Sequence, residues 1–390
     1  MKVLILNQIP EVNNKYTFSL ARGLKRANVD VRICGIESDD VSAYSDVEYL
    51  RLFGAYSKES NLLKKVKIYK NSWDRIIEYC INEKIEIVHV QWYIFSPLDW
   101  YYHQKIRKNG IKVITTIHDL LPFDKKFYDF YFHKKIYSHS DKVISQAKMN
   151  IDELVEKYNV ERNKIVYIPH GHYMEYAETA TKEESLEHLS LPKNRPIVLF
   201  FGQIKKVKGV DVLIEAIGKA KKKQPNIFCV IAGKVWKDDF SIYENMIDEL
   251  DLSDCIRTDI KYIPDNDIKY YFNAADIVAL PYREIYQSGV VLLGAAYEKP
   301  IVATTEGEFL NVIKNGETGL LVESGNSTEF ANALIKLLDD RVLATKLGQA
   351  CKEDLSRRLN WTNIAMNVAR EYESVLKTEN NIRKHSFKEN

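Results

Sequence analysis

The run from Pro196 to Ile217 limits the possible folds of this chain more than any other. Pro196 to Phe201 is an unbroken apolar stretch that reads as a buried strand, and Val212, Leu213, Ala216 and Ile217 recur at helical spacing. Between them lie Gly202, Lys205, Lys208 and Gly209. Strand, glycine turn and helix make the repeating unit of an open parallel sheet, which takes its ligands outside the carboxyl ends of its strands. Two lysines there suit an anion. Taken alone, a basic loop is more often a solvated surface turn, so the reading needs support from elsewhere in the chain.

The first half repeats the alternation. Val3 to Leu6, Ile85 to Val90 and Val113 to Ile117 are apolar runs, and Tyr16 to Ala27 carries a helical pattern with Leu20 and Leu24. Strands alternating with helices predict an α/β protein of doubly wound sheets. With 390 residues, 45% of them hydrophobic, the chain can fill two cores, since single cores rarely grow beyond about 250 to 300 residues. The formal charge of +2 is too small to mark a nucleic-acid binder. Five scattered cysteines with no Cys-x-x-Cys pair argue against a disulfide framework or a structural zinc. No apolar run reaches the roughly 18 residues of a membrane span, and Met1 to Pro10 is too short for a signal peptide. The expected location is cytoplasmic.

The segments Lys261–Arg283, Gln287–Ala296, Lys299–Thr304 and Asn315–Val322 follow the lysine loop in order. This series resembles the carboxyl-terminal domain of sugar-nucleotide-dependent glycosyltransferases of family 4, which have two Rossmann-like domains facing a cleft, the GT-B architecture. The Gln287-Ser288-Gly289 form resembles a bacterial polysaccharide-assembly subgroup. In the first half, His89 to Trp92, His118 with Asp119 and Pro122, and Pro169 to Gly171 resemble segments at the cleft face of the family's acceptor domain. The resemblance runs from Lys2 to about Lys377 and implies a first domain over 1–174 and a nucleotide-sugar domain over 195–358. It also implies a last helix over 359–377 that returns to the first domain. Residues 175–194, charged and without an apolar stripe, read as a linker, and 378–390 as a loose tail.

The resemblance implies transfer of a hexose-type sugar from a UDP- or GDP-linked donor to a glycan or lipid-linked saccharide, with retention of configuration and no metal or other cofactor. Negative charge then grows on a leaving diphosphate, and fixed cations and backbone N–H groups stabilise it best. Lys205 and Lys208 would supply cations, although the family usually has an arginine at the position of Gln203. Ser288 and Gly289 would open a helix over Gly289–Tyr297 whose amino terminus faces the phosphates. The donor-binding residues implied are Gly202, Gln203, Gly209, Gly233, Ile263, Gln287, Ser288, Gly289 and Val290. His118 would touch the donor sugar; its alternative is a polar cap on a strand end. His89 and His170 are weaker candidates, and Trp92 and Tyr173 could stack on a sugar or merely pack. Two glutamates eight apart in many relatives fall at Tyr286 and Gly294. Neither can act as a carboxylate, and a glycine inside a helix suggests that room is wanted there, for the donor's ribose or for a shifted helix. A catalytically silent partner subunit and a sugar-nucleotide epimerase are the rival readings.

Two basic aromatic stretches stand out in the first half, Leu62 to Lys70 and Lys125 to Lys135. They fit either peripheral contact with an anionic membrane surface or helices with solvated lysines over an aromatic core.

Overall fold

The computed structural model describes residues 1–9, 14–37, 41–56, 59–122, 125–285 and 288–386. Chain contacts divide it into two units, Met1–Gly171 with Leu359–Asn390, and His172–Arg358.

The first unit is a seven-stranded parallel sheet, β1 (Lys2–Leu6), β2 (Asp30–Ile36), β3 (Tyr49–Phe53), β4 (Ile87–Val90), β5 (Lys112–Ile117), β6 (Lys142–Ser145) and β7 (Ile165–Tyr167), in the order 3-2-1-4-5-6-7. Its connecting helices are α1 (Asn14–Arg26), α2 (Leu62–Asn82), α3 (Ser96–Lys108), α4 (Asp129–His139) and α5 (Asn150–Glu156). The central strands are apolar over their whole length because helices cover both faces of a parallel sheet. Tyr69, Trp73, Ile76 and Ile77 of α2 and Tyr102 and Ile106 of α3 join Val88 and Val113 in one core.

The second unit repeats the plan with six strands, β8 (Ile197–Phe201), β9 (Phe228–Ala232), β10 (Ile256–Asp259), β11 (Ile277–Leu280), β12 (Ile301–Thr304) and β13 (Leu320–Val322), ordered 10-9-8-11-12-13 and all parallel. It contains α6 (Lys182–His188), α7 (Val210–Lys221), α8 (Ser241–Glu249), α9 (Asp265–Ala274), α10 (Gly289–Ala296), α11 (Phe309–Val312), α12 (Ser327–Asp339) and α13 (Arg341–Arg358). Each sheet reverses its strand order once, between β1 and β4 and between β8 and β11. Such reversals open a crevice at the carboxyl edge.

Two expectations are corrected here. The segment 175–194 is not a bare linker: Thr181 and Glu184 form a reciprocal capping box that starts α6, and Leu186, Leu189 and Leu191 are buried in the second unit. The box is a legible start signal, Thr-x-x-Glu ahead of a leucine. At the other end, α14 (Trp361–Ser386) runs well into the stretch read as a loose tail. Within the first unit α14 is tied down by the Tyr372 hydroxyl, 2.6 Å from Nδ1 of His89, and by Glu371, 2.9 Å from Lys142.

Candidate active site

At the β8 end of the second unit the backbone is shaped by glycines that no other residue could replace. Gly233, with φ of 150°, lies so close to Gly202 that a Cβ would overlap its carbonyl oxygen. Gly202 donates its N–H to Ala232 at 2.9 Å, and Ile204 bridges to Val235, so the loops after β8 and β9 continue side by side past the sheet. Lys206–Lys208 then forms one 3-10 turn, and Gly209 turns the chain into α7 with φ of 66°. A Cβ there would overlap the carbonyl oxygen of Pro281, so both backbone angle and space require glycine.

Two contacts hold the turn against the loop after β11. Arg283 pairs with both oxygens of Asp211 at 2.6 Å and donates its backbone N–H to Val207 at 2.8 Å. Bidentate guanidinium pairing also fixes orientation. Lys208 places Nζ 3.7 Å from the ring centroid of Tyr282. Burial pushes the Tyr282 phenol up, so the ring stays uncharged beneath the ammonium. The Arg283–Asp211 clamp and Tyr282 escape sequence reading; Arg283 is visible only as one basic residue after the Pro281-Tyr282 pair.

The third component is the start of α10. Ser288 occupies its N-cap position with extended backbone, and its hydroxyl is buried beside the Tyr282 phenol without completing a hydrogen bond. Val290 reaches within 3.4 Å of where a Cβ of Gly202 would sit, and Gly289 approaches the Tyr173 ring. The structure therefore assembles Gly202, Gly209, Gly233, Lys208, Ser288, Gly289 and Val290 at the β8/β11 reversal. Lys205 is half-buried at the head of the 3-10 turn, and Gln203 is exposed beside it. Ile263 is buried in the loop between β10 and α9, beyond the second strand from β8. Gln287 and Tyr286 lie outside the described residues.

Gly294 corrects an expectation. A Cβ there would lie 3.2 Å from Cδ1 of Ile301 and 3.6 Å from Cγ2 of Val278. The glycine thus lets α10 press onto β11 and β12, and the space it leaves faces the core rather than the ligand edge.

In the first unit His118 follows β5. Its Nε2 is 2.9 Å from Oε1 of Gln91, its ring stacks on Trp92 at 5.0 Å, and Tyr16 meets it edge-on at 4.8 Å. Burial holds its pKa well below the usual histidine value, so the ring is neutral and donates through Nε2. His89 is wholly buried between Tyr372 and Thr116, a packing role. His170 accepts a structural place against Tyr16 and Trp361, with Nδ1 2.6 Å from the Gly171 carbonyl. Among the described residues no group of three histidines, cysteines or carboxylates is placed to hold a metal ion.

These histidines, with His103 buried on α3, make the first unit acid-sensitive. Burial lowers His89 and His103 to about 3 and His170 to about 4. Because the unfolded chain takes up their protons first as pH falls below 6.5, each one costs up to about 1.4 kcal/mol of stability per pH unit. Asp99, raised to about 6 by burial, works oppositely between pH 6 and 4, since there the folded state binds its proton first. One such group offsets only part of the histidines' combined effect. Calorimetry should show the first unit melting earlier at pH 5 than at pH 7; equal melting at both would contradict neutral burial.

Comparison with known proteins agrees with this geometry. A sequence model described as Glycosyl transferases group 1 matches residues 181–354, and one described as Glycosyltransferase Family 4 matches residues 14–175. A D-inositol 3-phosphate glycosyltransferase of Corynebacterium aurimucosum is 28% identical over 62% of this chain and 58% of its own. That of Corynebacterium glutamicum is 24% identical over 78% of this chain and 76% of its own. The chain thus spans little more than half the length of the first of these relatives. Among solved structures, a sucrose-phosphate synthase of Thermosynechococcus elongatus superposes with a TM-score of 0.75 at 18% identity, over 97% of this chain and all of the other. The Anabaena HepE protein in complex with UDP gives 0.73 at 15%, over 96% of this chain and all of the other. At these identities the likeness shows the fold alone. With one family description matching each of its two Rossmann-like units, the chain belongs to the GT-B glycosyltransferases of family 4 and group 1.

Proposed function

We propose that this protein moves a hexose-type sugar from a nucleoside diphosphate donor to a glycan or lipid-linked saccharide, in the building of a cell-surface polysaccharide. The observation that carries the reading is the Lys208 ammonium held over Tyr282 near the first turn of α10, where the buried Ser288 hydroxyl has no partner. As the bond from the sugar's anomeric carbon to the diphosphate oxygen breaks, charge gathers on the diphosphate, and these donors would stabilise it. The acceptor oxygen forms the new bond and its proton passes to the departing phosphate. That path needs no protein base, works on one face of the sugar and retains configuration. The neutral His118, held by Gln91, would touch the donor sugar with its ring. The donor would be UDP- or GDP-linked; the HepE protein of the same fold has been solved with UDP-glucose.

Binding tests this directly. A nucleotide at 100 times its dissociation constant should stabilise the protein by about 2.7 kcal/mol, with chelator as without. A thermal-shift screen in which neither UDP, GDP nor their sugars raise the melting temperature would remove the reading's foundation; dependence on a divalent ion would remove its metal-independent form.

A second reading, a silent partner subunit, draws on Tyr286 and Gly294 where many relatives carry glutamates. Turnover of any donor decides between them.

Contact with an anionic membrane is part of the same proposal. Leu62 and Leu63 are 70% and 81% exposed and Phe127 is 98% exposed, beside the exposed Lys64, Lys125 and Lys126, whereas Tyr69, and Trp73, Ile136 and Tyr137 just past the two stretches, are buried. Apolar tips among lysines suit a headgroup layer. No described helix is long and apolar enough to cross a membrane. The protein should pellet with phosphatidylserine vesicles at low salt and release at high salt; staying in the supernatant at low salt would point to an acceptor met in solution.

A further inference from the structure

At the amino edge of the second unit's sheet, opposite the lysine loop, three basic side chains gather around one carboxylate. Asp276 stands just before β11, its side chain only 12% exposed. Lys182, at the start of α6, reaches its Oδ1 at 2.6 Å, and Arg341, at the start of α13, reaches the same oxygen at 3.0 Å. The other oxygen accepts the backbone N–H of Ile197 at 2.8 Å. Asp276 thus already has three donors. The third cation is Lys299, in the turn between α10 and β12, whose Nζ donates to the Asn273 carbonyl at 3.3 Å. Among the described residues no carboxylate comes within ion-pair distance of it, and its chain neighbour Glu298 is taken by Lys352 at 2.7 Å.

The cluster carries more positive charge than one carboxylate neutralises. Lys182 and Arg341 are still 39% and 52% exposed, so an anion in solution can approach them. Lys299 differs from both. Burial, with Lys182 nearby, pushes its pKa down to about 8 against the pull of Asp276 and Glu298. Roughly a quarter of it is then free amine near pH 7.5, where an ordinary lysine is about one-thousandth free. A free amine is a nucleophile and an ammonium is not. The cluster therefore sets a nucleophile beside a pair of anion-binding cations. A small acyl phosphate matches both halves, because its phosphate is an anion and its acyl carbon an electrophile.

We propose that Lys299 is a site of direct acylation by acyl phosphates, with Lys182 and Arg341 receiving the phosphate. The Nζ lone pair attacks the acyl carbon and a C–N bond forms. The C–O bond to phosphate breaks, and its electron pair leaves with inorganic phosphate, which takes the surplus proton of the amine. The resulting amide keeps one N–H for the Asn273 carbonyl and removes a charge that burial disfavours, so the fold accommodates it. The site lies on the opposite edge of the sheet from the lysine loop, and the inference stands whatever that loop binds.

The test incubates the full chain with acetyl phosphate at the same pH and follows each lysine by peptide mass spectrometry. Lys299 should acetylate roughly tenfold faster than the exposed Lys64 and Lys222, its free-amine advantage being reduced by burial. Excess inorganic phosphate should slow Lys299 and leave Lys64 unchanged. Arg341→Gln, a change at an exposed side chain, should slow Lys299 roughly threefold while the melting temperature holds. With p-nitrophenyl acetate, an uncharged acyl donor, neither phosphate nor the substitution should matter. If Lys299 reacts no faster than Lys64 with acetyl phosphate, the inference is overturned. If it reacts fast with both donors but ignores phosphate and Arg341→Gln, it is a reactive amine without an anion site, which overturns the inference equally. Phosphate competition on the natural chain decides by itself if the variant does not fold.

Discussion

Replacing Lys208 by alanine should lower turnover by about two to three orders of magnitude, the equivalent of about 2 to 4 kcal/mol of barrier for one lost electrostatic contact. The side chain is half-buried and its ammonium is held over the Tyr282 ring, so its position is set before any ligand arrives. A preplaced cation stabilises charge as it develops without the cost of reorienting. Lys206, two residues earlier on the same 3-10 turn, is exposed, and its replacement should change turnover by less than about threefold, within the range of a screened surface charge. Steady-state kinetics on the two variants settles the matter. Equal losses would mean that the loop attracts the donor diffusely and that no single lysine meets the diphosphate.

Gly294→Glu should cost the fold more than the ligand. The new Cβ alone would crowd Ile301, and the carboxylate beyond it would be driven toward Val278 and the sheet. A buried unpaired charge added to overpacking places this among the severe substitutions, more than about 4 kcal/mol. Gly294→Ala offers the control. Its Cβ needs only a small shift of the Ile301 tip, and alanine gains about 1 kcal/mol in helix propensity, so its stability should stay within about 1 kcal/mol of the natural protein. Chemical denaturation of both variants reads the difference. If the glutamate variant unfolds at the same denaturant concentration as the natural protein and loses only nucleotide affinity, the helix does not press on the sheet as described. The result also bears on the silent-subunit reading, because restoring a glutamate at 294 cannot restore activity in a chain that no longer folds.

Much of this protein was determined by local sequence. Apolar runs such as Ile197–Phe201 and Ile301–Thr304 have few alternatives to a covered parallel strand, and their alternation with amphipathic helices leaves little but a doubly wound sheet. The lysine loop was equally readable, because Gly202 and Gly209 announce backbone angles and close approaches that a side chain would forbid. The capping box of α6 was present in the sequence too, but a short charged helix hides its few buried leucines from any search for an apolar stripe. What the sequence left open depends on which distant segments meet. Whether Gly294 faced a ligand or a strand was decided by Ile301 and Val278 beneath α10. Whether His118 was charged was decided by burial against Trp92 and Tyr16, and the pairing of Arg283 with Asp211 by the approach of the loops after β8 and β11. Lys182, Asp276, Lys299 and Arg341 look like unremarkable surface charges along the chain. Only the tertiary structure gathers them in one place, because burial and ion pairing are properties of neighbours in space, which spacing along a chain does not encode.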